Sequence, residues 1–283
     1  MDQEVQNRLH ANRKQIHAAL LSTTVKIGYL VAAANPRSGE RGIAKYRPDL
    51  RAASGFLVII NGAPCVCTAG HVITNLGEPR KGLKVVRPHI GFLQASDEPV
   101  TIDLKLREIR LGRALAENGM DAGLIPLSDT QYETLRSAGA RFIGGDKWRP
   151  PNFDPHLFVA LGYPKDNSKT TPTVGEHTIE FNAVYRTPML LLEALRDDYA
   201  GTNKIPRFRG KLLSRQGDCN GEVELVMSTN GMSGGPIFAL RLEQDRFISS
   251  LLAIQTVERD DGTIGGCYFN HLLRTLRGEA IVS

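Results

Sequence analysis

Asn230-Gly231-Met232-Ser233-Gly234-Gly235-Pro236 is the stretch around which the chain reads. A serine stands among three glycines, and a proline closes the run. Glycine lacks a Cβ and tolerates positive φ, so such a run turns sharply and lets backbone N–H groups approach another molecule. A serine hydroxyl is a weak nucleophile until a base takes its proton. The run therefore calls for a histidine elsewhere in the chain, oriented by a carboxylate.

Both are present, in the order histidine, aspartate, serine. Thr68-Ala69-Gly70-His71 follows the apolar segment 64–67 and puts His71 at the end of an expected strand. Asn118-Gly119-Met120-Asp121 leads straight into the apolar run 122–127, and a carboxylate at such an edge must be paired or hydrated. Asp97 and Asp103 are rivals for that role, but neither directly heads such a run.

The 283 residues suffice for one two-lobed unit or two small domains, and 28 glycines suit a turn-rich β protein. The net charge of +5 is small and dispersed, and names no acidic partner. Basic residues gather at Arg37, Arg41, Lys45, Arg47 and Arg51, but no aromatics interleave with them, which argues against nucleic acid. Cys65, Cys67, Cys219 and Cys267 lack the paired spacing of a zinc site and read as reduced, mostly buried thiols. Residues 1–20 are polar and charged rather than leader-like, and no run is apolar enough to span a bilayer. The expected setting is therefore cytoplasmic.

Residues 2–20 read as a helix through the stripe Val5, Leu9, Ile16 and Leu20. It either packs on the body or serves as an arm for a regulatory protein partner. Strands are expected at 23–33 and 54–60, with a hairpin turn at Asn61-Gly62, and a meander over 83–111. Residues 128–156 read as a linker with a helical turn at 132–138, ended by Pro150-Pro151. Further strands are expected at 157–161, 178–185, 222–227 and 246–257. Residues 189–199 read as a short helix, 200–221 as a basic, glycine-rich surface loop, and 270–276 as a terminal helix.

TAGH at 68–71, Asp121 opening an apolar strand and GxSGGP at 231–236 together resemble the trypsin/chymotrypsin superfamily of serine peptidases. Ser54-Gly55-Phe56-Leu57, Gly162-Tyr163-Pro164 and Ala253-Ile254-Gln255-Thr256 are similar to the bacterial glutamyl endopeptidase and high-temperature-requirement branches. The resemblance implies an all-β fold of two antiparallel six-stranded barrels, with an N-terminal and a C-terminal helix. Its divisions would be a helical arm over 1–22, a first barrel over 23–150 and a second over 151–283. It implies an endopeptidase that forms an acyl-enzyme on Ser233, with His71 as base and Asp121 as its orienting partner; with the expected setting, the reading is an intracellular serine endopeptidase. The N–H groups of Gly231 and Ser233 would bind the oxyanion. Met227, Ser228, Thr256, Val257 and Glu258 would line the substrate pocket. No metal and no organic cofactor is implied; the partner is a protein or peptide substrate.

The chain departs from the family at two places. Met232 stands where zymogen-derived relatives keep an aspartate that pairs with a newly cut N-terminus. The expectation is a protein made in competent form, or switched by a partner or by loop ordering. Met227 stands where trypsin keeps its acidic specificity residue, and Gln255 where glutamate-specific relatives often keep a histidine. Side-chain preference stays open, with Glu258, Asp260 or Asp261 able to attract a basic group. The alternatives from other classes are an inactive binding module of the same fold, and a subunit proteolytic only after assembly.

Overall fold

The computed structural model describes residues 3–33, 49–77, 82–93, 99–104, 120–144, 148, 152, 154–155, 157–165, 170–174, 179–183, 187–195, 207–214, 216–219, 222–226 and 228–279. Helix α1 (Gln3–Leu21) precedes strands β1 (Thr24–Ala33), β2 (Asp49–Ile60) and β3 (Ala63–Thr68). Helix α2 (Gly70–Gly77) and strands β4 (Leu83–Leu93), β5 (Pro99–Asp103) and β6 (Gly123–Pro126) follow. Helix α3 (Asp129–Ser137) and the short β7 (Ile143–Gly144) complete the first half. These strands form one sheet in the order β5-β4-β1-β2-β3-β6, antiparallel throughout, with β7 alongside β2 in parallel.

The second half contributes β8 (Leu157–Leu161), β9 (Thr170–Val174), β10 (Ile179–Ala183), β11 (Met189–Ala194), β12 (Arg207–Leu212), β13 (Gln216–Cys219) and β14 (Glu222–Leu225). It ends with β15 (Pro236–Glu243), β16 (Arg246–Glu258), β17 (Thr263–Tyr268) and helix α4 (Phe269–Leu276). The order β12-β17-β16-β15-β8-β11 closes on itself through β11–β12 pairing and makes a six-stranded antiparallel barrel. The β13–β14 hairpin extends from β11, and β9–β10 pair separately. The fold is thus predominantly β, with one closed barrel, a second sheet and a helix at each end.

The apolar runs have a physical reason. Phe56 to Ile60 is almost uninterrupted because β2 is buried on both faces. Leu57 points into the core of the first sheet, while Phe56, Val58 and Ile60 join a second core. That second core lies between the two halves, since it also takes Val159, Leu161, Phe238 and Phe269 from the other side. Strand β8 splits in the same way, with Ala160 facing the barrel interior.

Helix α1 spends its stripe on this shared core. Val5, Leu9, Ile16 and Leu20 are all buried in it. His17 Nε2 lies 2.7 Å from the Thr187 carbonyl oxygen, close to β11. The helix therefore packs on the body, and the stripe that the alternative reading offered to a regulatory partner is covered by the shared core.

Three sequence expectations are corrected. The helix expected over 189–199 is overturned where the segment is described: Met189–Ala194 is β11, paired with β8, β12 and β13, and 196–199 lie outside the described residues. Three successive leucines favour a helix locally, but in the strand Leu190 and Leu192 share one face while Leu191 packs from the other on the shared core, and tertiary pairing overrides the propensity. The expected surface loop at 200–221 contains β12 and β13. In β12, Phe208 is buried between the outward basic residues Arg207 and Arg209, a period-two pattern hidden by its charge. His71 is not on a strand; β3 ends at Thr68, and His71 is the second residue of α2. The basic residues 37–47, the end of the expected meander (105–111), and Met227 lie outside the described residues.

Candidate active site

Strand β3 pairs with β6, and Thr68 stands opposite Gly123. That register brings Asp121, just ahead of β6, against the first turn of α2. Asp121 grips His71 at two points. Its Oδ1 accepts the His71 backbone N–H at 2.9 Å, and its Oδ2 lies 2.9 Å from His71 Nδ1. The first contact caps an otherwise unsatisfied helical N–H; the second orients the ring. Gly70 makes the approach feasible, because a Cβ there would sit 3.2 Å from Asp121 Oδ1 and 3.1 Å from the Ala122 nitrogen.

The His71 side chain is 43% exposed and that of Asp121 27%, so the ring reaches solvent while the carboxylate is sheltered behind it. Burial pushes the Asp121 carboxyl up, but the His71 hydrogen bonds and charge bring it below the usual carboxylate range, with Arg207 of β12 adding in the same direction.

Ser233 sits in the turn before β15, half-buried. The glycines of this turn have separate duties. Gly231 and Gly234 adopt φ of 97° and 89°. A Cβ on Gly234 would lie 2.1 Å from Thr68 Oγ1 and 2.2 Å from the Ser54 carbonyl oxygen, and one on Gly235 would lie 2.1 Å from the Leu161 carbonyl oxygen. The serine turn is thus pressed against the residues that lead into His71. Met232, where an ion-pairing aspartate was absent by sequence, is fully buried against Leu190 and Val226.

Backbone bonds hold the turn. Gly234 N–H donates to the Gln255 carbonyl at 2.7 Å, and Gln255 N–H to the Gly235 carbonyl at 2.8 Å. The Asn230 carbonyl accepts from Lys165 N–H at 2.7 Å, and the Met232 carbonyl from Gly235 N–H at 2.9 Å. A trans peptide points its N–H opposite to its C=O. The N–H groups of Gly231 and Ser233 therefore point away from these partners, and among the described residues neither has an acceptor.

The other candidates are distributed along the adjoining edge. Thr256 is buried, with its hydroxyl 3.4 Å from the Gly265 carbonyl oxygen, and Val257 is 42% exposed. Glu258 is half-buried; its Oε2 accepts from Thr229 N–H at 3.2 Å and from the Thr229 hydroxyl. Glu258 is therefore tethered to Thr229, in the segment leading into the serine turn. Ser228 Oγ accepts from Asn230 N–H at 3.1 Å.

The sequence reading gave no structural role to the Ser54 hydroxyl, the Thr68 hydroxyl or Arg207. Thr68 Oγ1 donates to the Ser54 carbonyl at 2.7 Å, joining the histidine motif to β2. Arg207 stands opposite Cys267 in the β12–β17 register. Only the small residues of the Ser54-Gly55 pair hinted at a crowded position. Among the described residues no cluster of His, Cys, Asp and Glu is arranged to hold a metal ion.

No family model matches the chain, and no curated protein does. Solved structures do. A thermostable serine protease, AL20, from an extremophilic microorganism is 12% identical, with a TM-score of 0.45 over 89% of this chain and 95% of its own. The protease Anisep from Arthrobacter nicotinovorans is 14% identical, with a TM-score of 0.40 over 88% of this chain and 90% of its own. The MamO protease domain from Magnetospirillum magneticum is 12% identical, with a TM-score of 0.42 over 92% and 98%. At such identities and scores these likenesses assign no function.

Proposed function

We propose that this chain is a serine endopeptidase acting on protein or peptide substrates, with Ser233, His71 and Asp121 as its catalytic residues. The observation that carries the reading is the two-point grip of Asp121 on His71, beside a serine turn whose Gly231 and Ser233 N–H groups have no acceptor among the described residues. In this mechanism His71 takes the Ser233 proton as the hydroxyl attacks a peptide carbonyl, then gives it to the leaving amine. Asp121 keeps the Nδ1 proton in place and stabilises the charged ring. The two N–H groups receive the developing oxyanion, each worth about 3 kcal/mol in the transition state. Water then releases the acyl group by the reverse sequence.

Buried Met232 supports a turn built without an ion-paired N-terminus, and hence a protein competent as made. Ser228, Thr256, Val257 and Glu258 supply the proposed pocket wall beside it, and a peptide library tests whether the Glu258 carboxylate favours basic side chains. Cys65, Cys67 and Cys267 are free and buried, which fits the proposed reducing, intracellular setting.

The test is labelling by a fluorophosphonate probe. Wild type is expected to label, and Ser233→Ala and His71→Ala to lose labelling while staying folded. An unlabelled, folded wild type would overturn the reading and leave a binding module of the same fold.

A further inference from the structure

We infer that Ser54 is a positioning residue of this site: its buried hydroxyl clamps the Gly231 turn so that the Gly231 N–H stays aimed where an oxyanion forms. The inference rests on the serine peptidase reading. Ser54 is fully buried in β2, in the first sheet, yet four of its bonds reach the elements of the site. Its N–H donates to the Ser233 carbonyl at 2.9 Å, and its carbonyl accepts from Thr68 Oγ1 at 2.7 Å. Its hydroxyl donates to the Gly231 carbonyl at 2.8 Å and accepts from Tyr163 N–H at 2.8 Å.

The backbone bonds are open to any residue, but the hydroxyl bonds need serine. One O–H and one lone pair are spent on two backbone groups of the other half of the molecule, the half-buried Gly231 carbonyl and the buried Tyr163 N–H. The turn needs that hold. Gly231, at φ 97°, has no side chain and a wide choice of backbone angles, so nothing intrinsic keeps its peptide in one orientation. The Lys165 N–H fixes the carbonyl before Gly231 and the Ser54 hydroxyl fixes the carbonyl after it. Tyr163, two residues before Lys165, is itself bonded to Ser54, so the two clamps are one assembly. Gly162 leaves room for it: a Cβ there would stand 2.8 Å from Ser54 Oγ and 2.9 Å from Met232 Cβ.

Removing the hydroxyl leaves the reacting serine, its base and the carboxylate untouched but loosens the peptide after Gly231, so that the donor is held from the Lys165 side only. Saturation kinetics of fluorophosphonate labelling on Ser54→Ala and Ser54→Cys test this, alongside wild type and Ser233→Ala. The downfield proton resonance of His71 Nδ1 is followed in the same samples. The maximal labelling rate of Ser54→Ala is expected to fall on the order of tenfold to a hundredfold. The half-saturating probe concentration and the His71 resonance should stay as in wild type. Ser54→Cys, which fills the same space with a weaker donor, should fall between the two and carries the test if the alanine variant does not fold. Labelling at the wild-type rate in a folded variant, or a slowed rate accompanied by loss of the His71 resonance, overturns the inference alone. Failure of wild type to label, or equal labelling of Ser233→Ala, overturns the peptidase reading and the inference with it.

Discussion

Gly234 and Gly262 share a positive φ, 89° and 78°, but differ in what surrounds them. A Cβ at Gly262 meets nothing within 4 Å, whereas at Gly234 it strikes the Thr68 hydroxyl and the Ser54 carbonyl. Gly262→Ala is expected to cost about 1 kcal/mol for backbone strain alone. Gly234→Ala adds a clash with backbone that cannot yield, and should cost about 3 kcal/mol or more together with loss of labelling. Urea unfolding of the two variants measures the contrast. At Asp121, replacement by asparagine preserves the shape but not the charge that holds His71. The expected loss is about 10⁴-fold in turnover, in a variant that an unfolding curve shows to be folded. Equal turnover would remove Asp121 from the catalytic set.

Helix α1 illustrates how an element gains a duty from its position. Its sequence shows only a weak stripe, but the stripe closes the core shared by both halves of the molecule. Leu9 is 5% exposed, and Leu9→Ala is expected to destabilise the fold by about 2–5 kcal/mol through the lost burial and the cavity left. The exposed Arg8–Asp245 ion pair, at 2.7 Å, should by contrast contribute less than about 1 kcal/mol. Thermal unfolding of Leu9→Ala and Arg8→Ala distinguishes the two. If Leu9→Ala behaved like Arg8→Ala, the helix would be an appended arm after all.

For the whole molecule, two groups make stability rise with pH, one in the acid range and one in the alkaline range. Asp121 has a lowered pKa, so the stability it contributes is present above its unfolded value and is lost as pH falls through the folded one. Lys26, 2% exposed in β1, is lowered by burial from 10.5 to about 8. The unfolded chain binds its proton more tightly, so stability should rise between pH 8 and 10.5, by about 3 kcal/mol from this group. Lys26→Met is expected to flatten that rise in a series of urea unfolding curves. Persistence of the slope in the variant would assign it to another group.

Much of this architecture was legible in the chain itself. The serine turn stood out by its glycines, while His71 and Asp121 became candidates through their order in the chain and their places beside apolar runs. The strand at 54–60 and the terminal helices were equally readable from periodicity. Tertiary structure alone decided the rest. It turned the leucine-rich 189–194 segment into a barrel strand, because pairing on both edges outweighs intrinsic helix preference. It made Phe208 an interior residue within a basic segment, and it buried the α1 stripe in a shared core. It also brought Ser54 to Gly231, 177 residues away along the chain. Sequence determines which groups are available for such a contact. Which groups meet depends on the register of strands and the packing of two sheets, and both are settled by the sum of many distant contacts.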